Sequence, residues 1–137
     1  MRETYHLVPR AIWEARDPEA PYEAESLTTE GFVHCTDGKD ELIVVANRYY
    51  ATDPRPFLAV TLDLDRVVSP WRFDVPGSPY PHIYGPIAAA AVIAVAPLER
   101  HRDGRFVRLA APETAASDVA ARRFGRGARA RPSTPAR

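Results

Sequence analysis

Phe57-Leu-Ala-Val-Thr-Leu-Asp-Leu64 is the stretch on which the fold turns. Leu58, Val60, Leu62 and Leu64 fall on one side, and Phe57, Ala59, Thr61 and Asp63 on the other. That period of two is the signature of a β-strand. Just upstream, Thr52-Asp-Pro-Arg-Pro56 is a breaker that ends a helix read from Lys39 to about Tyr50. Leu42, Val45, Ala46 and Tyr49 recur there at i, i+3, i+4 and i+7, and Thr36 or Asp37 is the expected N-cap. Downstream, Val67–Asp74 reads as a partner strand interrupted by Pro70, and Pro76–Pro81 as a loop. Val92–Ala96 reads as a buried strand and Arg105–Leu109 as a short last one. At the other end, Thr4–Val8 is a first strand stopped by Pro9, followed by a helical turn over Ala11–Ala15 anchored by Ile12 and Trp13. Tyr22–Ser26 is read as extended, Ser26–Glu30 as a turn or short helix, and Gly31–Thr36 as a short strand. Strands gather after the main helix and do not alternate with it. The expected class is therefore α+β, with a mainly antiparallel or mixed sheet carrying one main helix and short ones.

The 137 residues suit one domain, and 45% hydrophobic with 26% charged residues is an ordinary globular mix. A single cysteine excludes an internal disulfide framework and any multi-cysteine zinc finger. The net charge of zero divides unevenly. Residues 1–110 hold 12 Lys and Arg against 16 Asp and Glu, whereas residues 111–137 hold six Arg against two acids. The expected organisation is one α+β domain over 1–110 and a basic Ala/Arg/Pro-rich tail over 111–137. A helix is expected over Thr114–Arg123, with disorder after Gly125. Nucleic acid is not an expected partner, except weakly through that tail. The start lacks the apolar core of a signal peptide, and the longest apolar run, Ile87–Ala96, is half the roughly 20 residues a membrane helix needs. A cytoplasmic location without membrane contact is the expectation, and oligomeric state is left open.

Two segments carry chemistry: Glu30-Gly-Phe-Val-His-Cys-Thr-Asp37 and Tyr80-Pro-His-Ile-Tyr-Gly-Pro86. In the first, strand alternation puts Phe32, His34 and Thr36 on one face and Val33 and Cys35 on the other. In the second, His82 and Tyr84 share a face, Ile83 is buried opposite, and the prolines stiffen the backbone. A stiff segment holding a histidine and a tyrosine suits a site whose geometry must precede reaction. Asp74, eight residues before His82, is placed to orient a histidine or act as a base; Glu30 and Asp37 are the other nearby acids. Taken singly, each histidine is more often a surface or satisfied core residue. No metal is expected, since His34 and Cys35 face opposite ways and the spacing matches no strong ligand pattern. Cys35 reads as core rather than nucleophile. Three functions stay open: an enzyme holding a nucleotide-like or other small polar ligand, a cofactor-free enzyme using His34 and His82 as acid and base, and a non-catalytic binding module.

The order Leu7-Val-Pro-Arg10, Trp13-Glu14, Ser26-Leu27, Glu30–Thr36, Leu62-Asp63, Arg72-Phe-Asp74 and Pro81–Pro86 resembles the small bacterial proteins called domain of unknown function 952, over about residues 3–109. The resemblance implies a fold related to the ADP-ribosyltransferase superfamily, whose split sheet clasps NAD⁺. It implies catalytic roles for His34, His82 and Asp74, and ligand contacts from Phe32, Thr36, Tyr84 and Gly85. NAD is the cofactor it implies, with ADP-ribosyl transfer or glycosidic cleavage as the reaction. This sequence departs from the superfamily pattern in its late acid, for which Glu99 is the one core candidate after Tyr84.

Overall fold

The computed structural model describes residues 1–113, and the expected tail helix lies outside them. The elements run β1 (Glu3–Pro9), α1 (Arg10–Ala15), α2 (Glu25–Thr29), β2 (Val33–His34), α3 (Lys39–Tyr50), β3 (Phe57–Asp63), β4 (Trp71–Phe73), β5 (Pro81–Ile83), β6 (Val92–Arg100) and β7 (Phe106–Leu109). Every strand ladder among them is antiparallel. A four-stranded sheet has the order β1-β3-β6-β7, and a three-stranded sheet the order β2-β5-β4. A bridge between Tyr5 and Thr36 joins them, with Tyr5 N–H to Thr36 O at 2.9 Å and the reciprocal bond at 2.8 Å. The chain is thus α+β, with a curled antiparallel sheet and few helices.

β3 is central in its sheet, and all seven of its residues are buried. Its alternation therefore divides two cores rather than a core from water. Leu58, Val60 and Leu62 join Val33, Ile83, Trp13 and Tyr22 in one cluster. Phe57 and Ala59 join Tyr5, Leu42, Ala46 and Phe106 in the other, under α3.

Several local expectations are corrected by packing. The N-cap of α3 is Gly38, at φ 90°, with no side-chain cap from Thr36 or Asp37. A glycine tolerates that backbone without a Cβ penalty. Tyr49 is 65% exposed, while Tyr50 stacks on Phe57 with ring centroids 4.5 Å apart. Leu42 and Ala46 are buried, and half-buried Tyr50 continues their i+4 row. Ile12 is exposed and Trp13 alone anchors α1. Of the Gly31–Thr36 stretch, only Val33–His34 is strand. The Val67–Asp74 strand shortens to β4 and pairs with β5, not β3. Beyond residue 110 the chain still touches the domain: Glu113 N–H donates to Val95 O at 2.7 Å, and its carboxylate takes a two-pronged contact from Arg10 at 2.9 and 2.6 Å. No helix among the described residues is long and apolar enough to cross a membrane.

Candidate functional site

The three-stranded sheet sets the site by register. Val33 pairs with Ile83 and His34 with His82, while Arg72 on β4 lies opposite His82 from the other side. His34, His82 and Arg72 thus form one row across three strands. Cys35 N–H donates to Pro81 O, so 35/81 is a hydrogen-bonded pair and 34/82 falls between such pairs. Side chains at non-hydrogen-bonded positions approach more closely. Val33 and Ile83, pointing the other way, are fully buried. Their burial turns the two imidazoles outward.

The rings form one cluster. Phe32 stacks on His82 with centroids 4.0 Å apart at 19°, and meets His34 edge-on at 4.8 Å. The His34 and His82 centroids are 5.7 Å apart. Phe32 also lies 5.6 Å from Tyr84, and the Arg72 guanidinium sits 4.2 Å above the Tyr84 ring. The His82 side chain is 18% exposed and that of His34 is 55% exposed. His82 is therefore the sheltered member and His34 the open one.

Each imidazole has its own carboxylate. Asp74 Oδ2 lies 2.6 Å from His82 Nδ1 and accepts the Tyr84 hydroxyl, while its Oδ1 accepts Arg72 Nε at 2.6 Å. Hydrogen bonds from Tyr84, Arg72 and His82 hold Asp74 well below the usual carboxylate range. The same contacts raise the Tyr84 phenol and the Arg72 guanidinium. Glu30 Oε1 lies 3.1 Å from His34 Nε2. An ionised carboxylate only accepts, so the neutral tautomers are Nδ1–H in His82 and Nε2–H in His34. The nitrogen left facing away from these acids is Nε2 in His82 and Nδ1 in His34.

The backbone of His34 is held from beneath. His6 is buried; its Nδ1–H donates to His34 O at 2.9 Å, and the Tyr22 hydroxyl donates to its Nε2 at 2.9 Å. Burial pushes the His6 imidazole down to about 4. A neutral His6 is what this pair of bonds requires, since a carbonyl takes a proton and Nε2 must accept one.

The structure thus brings together Phe32, His34, Asp74, His82 and Tyr84. Thr36 is buried and its backbone pairs with Tyr5, so its place is the seam between the sheets. Gly85 approaches protein rather than ligand space: a Cβ there would meet Ser69 Oγ at 2.4 Å. Asp37 pairs with Arg2 at 2.7 Å. Cys35 is buried, its thiol pushed up by desolvation, as its core reading requires. Glu99 pairs with Arg108 across β6 and β7, in the other sheet. Arg72 carries no role in the sequence reading, and Glu30 stands there only as a nearby acid. Arg72 precedes Asp74 by two on a strand, a spacing that places both on one face. Glu30 precedes His34 by four, and the turn after α2 folds it back. Surface cavities of about 390 and 210 Å³ lie elsewhere, against Ile12 and Tyr22 and against Tyr5 and Leu109. Among the described residues no three or more His, Cys, Asp or Glu side chains form a metal-holding group.

Comparison with known proteins gives the family and the fold. Residues 7–95 match the model of the family described as "Protein of unknown function (DUF952)". The crystal structure of CC0527 from Caulobacter crescentus is similar, at 19% identity and a TM-score of 0.62, covering 77% of this chain and 93% of that one. The solution NMR structure of CC0527 is similar at 20% identity and a TM-score of 0.57, covering 76% of this chain and 90% of that one. At such identities the likeness speaks of the fold alone. No curated protein matches the sequence.

Proposed function

The chain belongs to the DUF952 family of proteins of unknown function, and we propose that it is an enzyme performing general acid–base chemistry on a small polar ligand at the outer face of β2, β5 and β4. The observation that carries this reading is the pair of facing imidazoles, each oriented by a separate carboxylate. His82, sheltered and fixed through Asp74, takes a proton at Nε2 from a ligand hydroxyl or a water. His34, more open, acts as the acid once it carries a second proton at Nδ1, and passes that proton to the departing group. Two positioned groups of this kind contribute about 10²–10⁴-fold each to a rate. Arg72 and Tyr84 keep Asp74 ionised and aimed at His82 Nδ1. His6 holds the strand that bears His34. Phe32 walls the site and offers its edge to an apolar part of the ligand.

A second reading takes NAD as that ligand, with transfer of ADP-ribose or glycosidic cleavage as the reaction, on a fold of the ADP-ribosyltransferase kind. The feature favouring it is the aromatic Phe32 and Tyr84 beside two carboxylates, a setting suited to a planar cationic ring. Glu99 takes no part, so Glu30 or Asp74 would serve as the acidic group.

Turnover of p-nitrophenyl esters, phosphates and glycosides, and of NAD⁺, tests both readings in wild type, His34→Ala and His82→Ala. The acid–base reading expects at least one substrate whose turnover falls 10²-fold or more in each variant. Wild-type rates equal to those of the double variant on every substrate overturn it. Calorimetry with millimolar NAD⁺ separates the second reading: heat lost in His34→Ala supports it, and absence of heat removes it.

A further inference from the structure

We propose that residues 114–124 fold back across α1 and seat Phe124 in the surface cavity against Ile12 and Tyr22, with Arg122 and Arg123 on its acidic rim. The cavity has a volume of about 390 Å³ and lies between α1 and the loop that follows it. Ile12, Ala15, Ala20, Pro21 and Tyr22 form its apolar lining. Of the two large apolar residues on α1, Trp13 is buried and Ile12 is left 43% exposed. A cavity of roughly 150 Å³ already accepts a benzene ring. This one therefore has room for a phenyl side chain, and Ile12 gains the cover it lacks.

The chain itself delivers the occupant. Glu113 is clasped by Arg10, the first residue of α1, which also meets Glu14 at 3.1 Å. At about 100° per residue, Arg10 and Glu14 share one side of α1 and Ile12 lies on the opposite one. Small, exposed Ala11 and Ala15 stand between them. The described chain thus ends on one flank of α1, with the cavity on the other. A helix with its side chains is about 10–12 Å across. Ten residues separate Glu113 from Phe124. Extended, they reach about 33 Å, ample for the crossing. Beyond Glu113 the large apolar side chains are Val119 and Phe124.

Charge points the same way. From Glu14 to Glu25 the chain carries five acids against one Arg. Asp17 and Glu23 line the cavity itself. Among the described residues no cation pairs with Asp17, Glu19 or Glu23. Residues 114–137 hold six Arg against one acid, and Arg122 and Arg123 directly precede Phe124. Seating the ring therefore brings two guanidinium groups to an acidic rim. The cavity lies apart from the histidine face, so this docking does not rest on the acid–base reading.

Nuclear Overhauser spectra of the isotope-labelled full-length chain, alone and mixed with unlabelled chain, test this. Contacts from the Phe124 ring to the Ile12 and Ala20 methyl groups are expected within one molecule. Phe124→Ala should abolish them and displace the amide resonances of Ile12, Ala20 and Tyr22. Arg122→Glu combined with Arg123→Glu should weaken them, since it sets acid against acid. Circular dichroism confirms that each variant folds. Absence of the Phe124 contacts, amide resonances unmoved in Phe124→Ala, or contacts undiminished in the arginine variant overturns the proposal. So do contacts found only between labelled and unlabelled molecules, which would make the occupant a second copy.

Discussion

His34 and His82 lie directly opposite one another across the β2–β5 ladder, and each gives its N–H to a different acid, Glu30 and Asp74. The two acids come from different directions, one from the turn after α2 and one from the end of β4. Neither histidine therefore depends on the other for its orientation. The ladder brings the rings together, and the acids decide which nitrogen stays open.

Asp74→Asn should separate orientation from folding. Asp74 is partly exposed and ends a strand, so the melting temperature should change little. An amide cannot match a carboxylate that accepts from His82, Tyr84 and Arg72 together. Turnover of any substrate the wild type accepts should fall about 10²-fold or more. Steady-state kinetics on a variant with a native circular dichroism spectrum checks this.

His6 should make stability depend on pH in a defined window. The folded imidazole titrates near 4 against 6.5 in the unfolded chain. Between those values the unfolded state binds a proton that the native state refuses, so stability rises with pH and is complete above 6.5. It is lost as pH falls, by about 1.6 kcal/mol from pH 6.5 to pH 5 for this group. Urea midpoints at both pH values should show this loss in wild type and a smaller one in His6→Gln, measured with a chelator present.

Gly85→Ala should strain the seam below Tyr84. The added Cβ would stand 2.4 Å from Ser69 Oγ and 2.8 Å from Ser69 Cβ. Overpacking of this kind costs about 1–3 kcal/mol. Ser69→Gly in the same chain should recover part of the loss, although it forfeits the Ser69 bond to Pro86 O at 2.7 Å. Chemical denaturation of both single variants and the double measures the coupling.

The helix face can be checked by a pair of truncations. Leu42→Ala empties a fully buried position and should cost about 2–5 kcal/mol. Tyr49→Ala removes a ring that is mostly in water and should change stability by no more than about 0.5 kcal/mol.

Local signals were legible in the chain, and pairing was not. The ends of α3 and the strand at Phe57–Asp63 follow from breakers and periodicity, which act over a few residues. The Phe32, His34, His82, Tyr84 and Asp74 group was legible because two stiff segments each presented a histidine. The partner of β4 was hidden, since strand choice is a long-range matter that Pro70 alone does not decide. Tyr49 was mistaken for Tyr50 because both fit a helical face within one residue, and Phe57, which selects Tyr50, is distant in local pattern. The role of Arg72 and the pairing of Glu30 with His34 were hidden because a surface charge looks the same whether it meets water or an imidazole. Thr36 and Gly85 were drawn toward a ligand by their neighbours, yet backbone pairing at Tyr5 and the closeness of Ser69 account for them.

The most direct measurement is long-range nitrogen-15 correlation of the histidine side chains with ring-to-ring nuclear Overhauser effects, recorded at pH 8 with a chelator present. The account predicts the Nδ1–H tautomer for His82, the Nε2–H tautomer for His34, and Overhauser contacts joining both rings to Phe32. Two freely exchanging tautomer mixtures with no contact between the rings would contradict it.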